Sequence, residues 1–165
     1  MRPIDWGLTW VTVQAVSAVI ATIVVILTAL YAKSQLSEAS RARYVQVLDK
    51  IHDILGDPKA MAARQAVLKL PDNFDIESLT DDQKANIEIV TRSFDKAGFY
   101  LKCKLIPLNY VLPEYPGALW HWKKLRHYVE KQRKTEGYEA RIFFEYMARQ
   151  TEEFRRKNKP TGIVD

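Results

Sequence analysis

Asp49, His52 and Asp53 stand at i, i+3 and i+4, so on a helix two carboxylates and an imidazole share one face in a spacing that can present several metal ligands. A di-metal centre in a helical bundle needs Glu-x-x-His pairs on further helices, and the residues three before His121 and His127 are Ala118 and Lys124. The expectation for Asp49, His52 and Asp53 is therefore a solvated helix face, with no metal or cofactor. Cys103, the single cysteine, lies between Lys102 and Lys104, which would favour its thiolate, but no Cys–His signature or oxyanion turn accompanies it. A lone cysteine also excludes an intramolecular disulfide and fits a reducing compartment. The six glycines are scattered singly, so there is no phosphate-cradling loop and no dinucleotide fingerprint. The paired carboxylates Asp81–Asp82 and Glu152–Glu153 fall at helix ends or on charged faces, where they cap and solubilise. No catalytic residue is assigned, and an enzyme is not the expected class.

Charge distribution points elsewhere. Between residues 102 and 134 lie eight basic residues against Glu114 and Glu130, a local net of +6 where the whole chain carries +5. On a helix starting near Gly117, Trp122, Leu125, Tyr128 and Val129 form an apolar stripe. Trp120 falls on the other side with Lys123, Lys124, His127, Lys131 and Lys134. Those six are the candidate binding residues for an anionic leaflet or an acidic protein surface. Nucleic acid is the unlikely partner, since no RNA- or DNA-binding motif accompanies the basic and aromatic residues.

The elements that must position these residues read as helices throughout. Apolar periodicity persists from Tyr44 to Phe154, with no sustained period-two alternation and no internal repeat. Tyr44, Val47, Leu48, Ile51, Ile54 and Leu55 share a face of a first helix that ends at Gly56. Asp57 and Pro58 read as the cap and first residue of a second, running to about Leu70. Thr80 to Gln83 is a capping box opening a third, with Ile87, Val90, Phe94, Ala97 and Leu101 on its apolar side. Pro107, Pro113 and Pro116 permit only a short turn around Asn109 to Leu112. Gly137 then separates the basic helix from a last one bearing Ala140, Phe143, Phe144, Met147, Thr151 and Phe154.

Ahead of all this, Trp6 to Ala32 carries no charge across 27 positions, enough at about 1.5 Å per residue to cross roughly 30 Å of hydrocarbon. It is too long for a signal peptide's apolar core, and an uncleaved anchor is expected. Trp6, Trp10 and Tyr31 suit the two interfaces, and Lys33, Arg41 and Arg43 against Arg2 predict a cytoplasmic C-terminal side. Gln14, Ser17, Ala21 and Thr28 gather on one side of this helix, a face suited to self-association or to docking on another membrane helix.

The expected architecture is all-α. A short outer N-terminus (1–7) precedes a transmembrane helix (8–32) continuing into a stalk, a cytoplasmic domain (33–157) with a bundle of four or five helices, and a frayed tail (158–165). Together with SFDKAGFYLKCKLIP, LWHWKKLRHYVEKQRKTEG and FFEYMARQ, and the positions Phe94, Gly98, Ile106, Pro107, Trp120 and Phe144, this layout resembles the bacterial family called domain of unknown function 4760. The resemblance implies a single-span protein of a bacterial inner membrane with a helical cytoplasmic domain, and supplies no catalytic residues. The expected function is a membrane-anchored interaction or scaffold module. The alternatives are a small accessory subunit of a membrane complex, assembled through the transmembrane helix, and thirdly a metal-dependent enzyme.

Overall fold

The computed structural model describes residues 6–137 and 139–158. Met1 to Asp5, including Arg2, and the tail from residue 159 lie outside the described residues. All regular structure is helical among the described residues. The helices are α1 (Trp6–Gly56), α2 (Pro58–Leu68), α3 (Asp81–Lys102), α4 (Leu108–Val111), α5 (Gly117–Glu136) and α6 (Ile142–Lys157). The chain divides into two units, the second opening at Tyr44.

In the first unit α1 is long and apolar enough to cross a membrane by length and composition, and none of its apolar window is buried by protein. Val16, Val19, Ile20, Ile23, Leu27 and Leu30 are all exposed. The Thr22 and Thr28 hydroxyls donate to the Ala18 and Val24 carbonyls at 2.8 Å each, so their polarity is satisfied within the helix. A surface of this kind suits lipid, where backbone groups must be paired internally.

The second unit is built around α3. Its capping box forms as the sequence predicts: the Thr80 side chain accepts from the Gln83 amide at 3.3 Å, and Gln83 Oε1 accepts from Thr80 N at 2.9 Å. Ile87, Val90, Phe94, Ala97 and Leu101 are all buried, each full burial contributing about 1.5–3 kcal/mol for the larger side chains. Ile51 and Leu55 from the end of α1, Ala63 and Val67 from α2, and Phe144 and Met147 from α6 complete this core. The Phe94 and Phe144 rings stack with centroids 5.1 Å apart.

Two details set how closely α6 lies on α3. A Cβ on Gly98 would land on the Phe143 backbone carbonyl and stand 3.3 Å from Met147 Cβ, so only glycine permits the contact. The α6 N-terminus has no side-chain cap of its own, because Arg141 precedes it in the left-handed region at φ 58°. Asp95 of α3 serves instead, its Oδ1 accepting from the Phe143 and Phe144 amides at 3.0 Å each.

Glu88, also on α3, fastens the connection before α6. Its carboxylate accepts from the Arg141 guanidinium, from Arg92 at 2.5 Å and from Gln132 at 3.3 Å. Arg141 reaches the buried Thr91 hydroxyl as well, at 3.3 Å. A non-glycine residue at positive φ carries a backbone cost, and these side-chain bonds over-determine its position.

Candidate functional site

α5 begins after Pro116 and ends at Gly137, whose φ of 103° needs no Cβ. Leu125 and Val129 are fully buried, as expected, but Trp122 and Tyr128 are half-buried, and Ala118, Leu119 and His121 complete the inward side. The basic residues assigned to the outer face do not form one uniform patch. Lys124 turns inward with its side chain 11% exposed, donating to the Leu68 carbonyl at 3.0 Å and Asp72 at 3.2 Å. His127 lies against Phe74, ring centroids 4.3 Å apart, beneath the same α2–α3 connection. Lys131 pairs with Glu77. Lys124, His127 and Lys131 therefore hold the 69–80 segment onto α5, a tertiary role that periodicity along α5 alone does not reveal.

Trp120 remains outside, 55% exposed. The Lys123 ammonium lies 5.9 Å from its ring centre and the Arg155 guanidinium 5.5 Å, so two cations from two helices flank one exposed indole. Lys123 also meets Glu152 at 3.9 Å, with both side chains well exposed, a contact of little net energy. Lys134 is exposed on the last turn. Arg126 pairs with Glu130 at 2.7 Å, and that hydrogen bond holds the Glu130 carboxyl below its ordinary range. Arg155 reaches Trp120 only through the approach of α6 to α5, which the residue spacing of neither helix reveals.

The candidate metal ligands part company. His52 Nε2 lies 2.6 Å from Glu114 Oε2, beside the Tyr115 ring, while Asp49 and Asp53 face solvent. Among the described residues no group of three His, Cys, Asp or Glu side chains is placed to hold a metal ion. The helical spacing is real, but α1 turns its imidazole toward the α4–α5 connection rather than toward the two aspartates. Cys103 is exposed and free.

Against the core lie two polar side chains: His121, which the sequence offers only as a metal or acid–base candidate, and the half-buried Arg64, which the sequence does not single out. Arg64 donates to the Leu55 carbonyl at 2.5 Å, and its guanidinium lies 5.8 Å from the Phe94 ring centre. Burial pushes its pKa below the ordinary value. His121, 5% exposed, is 2.7 Å from the Gly117 carbonyl through Nδ1, which therefore carries the proton and donates. Burial pushes its pKa down, and the nearby Arg64 and Lys124 cations push it further.

Gln14, Ser17, Ala21 and Thr28 are exposed on α1. No protein-family model, no curated protein and no solved structure matches this chain. What the molecule does has to be argued from its own residues.

Proposed function

We propose that the chain is a single-pass, membrane-anchored interaction module whose α5 face meets an anionic surface through Trp120, Lys123, Arg155 and Lys134. The observation that carries this is the exposed indole held between cations of two helices, in a chain with a membrane-length apolar helix. An aromatic body between cations suits a headgroup boundary, where apolar and charged contacts are made together. The anionic leaflet is the first occupant by this reading, since a tethered domain meets it before any soluble acidic protein. Each adjacent Lys or Arg adds about 1 kcal/mol. The domain lies on the cytoplasmic side, following the excess of Lys33, Arg41 and Arg43 after the span. Membership of the domain of unknown function 4760 family is part of the same proposal and adds location rather than activity.

Hydrogen exchange on the full chain in lipid nanodiscs tests the reading. In anionic lipid at low salt, amides from 119 to 134 should exchange more slowly than in zwitterionic lipid, and high salt should abolish the difference. Identical exchange in both lipids at both salt concentrations would remove the leaflet as the partner.

A further inference from the structure

On α5 and beside it, the chain's own carboxylates already meet Lys123, Lys124, Arg126, Lys131 and Arg133. Lys134, on the last turn of α5, has no such partner among the described residues, and further cations without one line clefts elsewhere on the second unit. Among the described residues, no carboxylate stands within ion-pair distance of Lys50, Lys96, Lys102 or Arg149. These four line two clefts that adjoin at Phe143, one of about 530 Å³ and one of about 270 Å³.

The larger cleft joins the end of α1 to α3 and the first turn of α6. Ile54, Phe99 and Phe143 give it an apolar floor, with the Phe99 and Phe143 rings edge to face at 5.3 Å and Phe99 44% exposed. Lys50 and Lys96 supply the charge. The one acid in it, Asp95, is held against the first amides of α6. In the smaller cleft Glu145 is tied to Arg133 at 2.8 Å, and Lys102 and Arg149 both lie over the Tyr146 ring, at 4.9 and 6.0 Å from its centre. Volume and lining fit a small-molecule site, in which an apolar wall is combined with a few charged groups. Unpaired ammonium groups in a lining shared with apolar and aromatic side chains call for a ligand that is anionic at one end and apolar at the other.

We propose that the larger cleft binds a monoalkyl or monoaryl phosphate, with the phosphate at Lys50 and Lys96 and the apolar chain on Ile54, Phe99 and Phe143. A phosphate monoester is close to a dianion at neutral pH, which two lysines match where one would not. This site is separate from the Trp120 face, so either can fail without the other.

Equilibrium dialysis of radiolabelled hexyl phosphate against the full chain in zwitterionic nanodiscs, with empty nanodiscs as blank, reads the binding. One saturable site is expected. The doubly substituted Lys50→Gln, Lys96→Gln protein should bind about tenfold or more weakly, as loss of charge-assisted hydrogen bonds dictates. Phe99→Ser should weaken binding about fivefold, and inorganic phosphate and hexanol should each bind at least about tenfold more weakly than hexyl phosphate. The substituted side chains are exposed, and melting curves matching the parent confirm folding. Lys123→Gln with Lys134→Gln, on α5, should leave the affinity as it is. Absence of saturation, full affinity in the Lys50 and Lys96 variant, equal binding of inorganic phosphate, or an equal loss in the α5 variant each overturns the assignment.

Discussion

His121 shows how one side chain can be read wrongly from its type and correctly from its surroundings. As one of three histidines it is a candidate for acid–base or metal chemistry. In the fold it is a core residue, tilted against Phe94 at 5.3 Å and bonded to the Gly117 carbonyl. Its folded pKa lies below the ordinary 6.5 because of burial first and the Arg64 and Lys124 charges after it, against the Gly117 bond, which raises it. Protonation therefore favours the unfolded chain. The stability His121 contributes is complete above about pH 6.5 and is lost as the pH falls from there through the lower folded value, with a slope of at most about 1.4 kcal/mol per pH unit. The melting temperature should drop between pH 7.5 and pH 5.5, and His121→Gln should flatten that drop. An identical pH dependence in parent and variant would assign the effect to another group. Helical spacing puts His121 and His127 on different sides of α5, but only the approach of α3 and α2 buries His121.

At the level of elements, the helix starts were legible because their chemistry is local. Asp57 caps α2, accepting from the Ala60 amide at 2.9 Å, and Thr80 with Gln83 closes the box on α3. The start of α6 was not legible. Its expected face included Ala140, which falls before the helix, because the cap comes from Asp95, 48 residues earlier than Phe143. Gly98 belongs to the same junction. Replacing it with alanine puts a methyl group against the Phe143 carbonyl, and overpacking of this kind costs about 1–3 kcal/mol. Thermal or urea unfolding of Gly98→Ala should show a loss in that range. Parent-like stability would mean α6 can shift away from α3 without loss. The same substitution at Gly56, where an added Cβ meets nothing within 4 Å, should be silent or mildly stabilising and serves as the control.

For the molecule as a whole, the testable claim is topology. Cys103 is exposed and is the only cysteine, so it reports the side of the membrane on which the second unit lies. A membrane-impermeant maleimide should modify it in permeabilised cells and spare it in intact ones. Modification in intact cells would reverse the orientation argued from Lys33, Arg41 and Arg43.

The sequence by itself determined the all-α class, the apolar helix and its length, the α2 and α3 caps, and the α3 face that is buried. Each depends on residues within a turn or two of one another, through 3.6-residue periodicity, capping and the absence of charge. Only the tertiary structure decided which basic residues are already paired. Lys124, Lys131 and Arg141 find their carboxylates 52, 54 and 53 residues away. An ion pair at that separation exists only once α2, α3, α5 and α6 have packed. For the same physical reason the unpaired cations that line the larger cleft, Lys50 and Lys96, came to light on α1 and α3 rather than on the helix where sequence charge was densest.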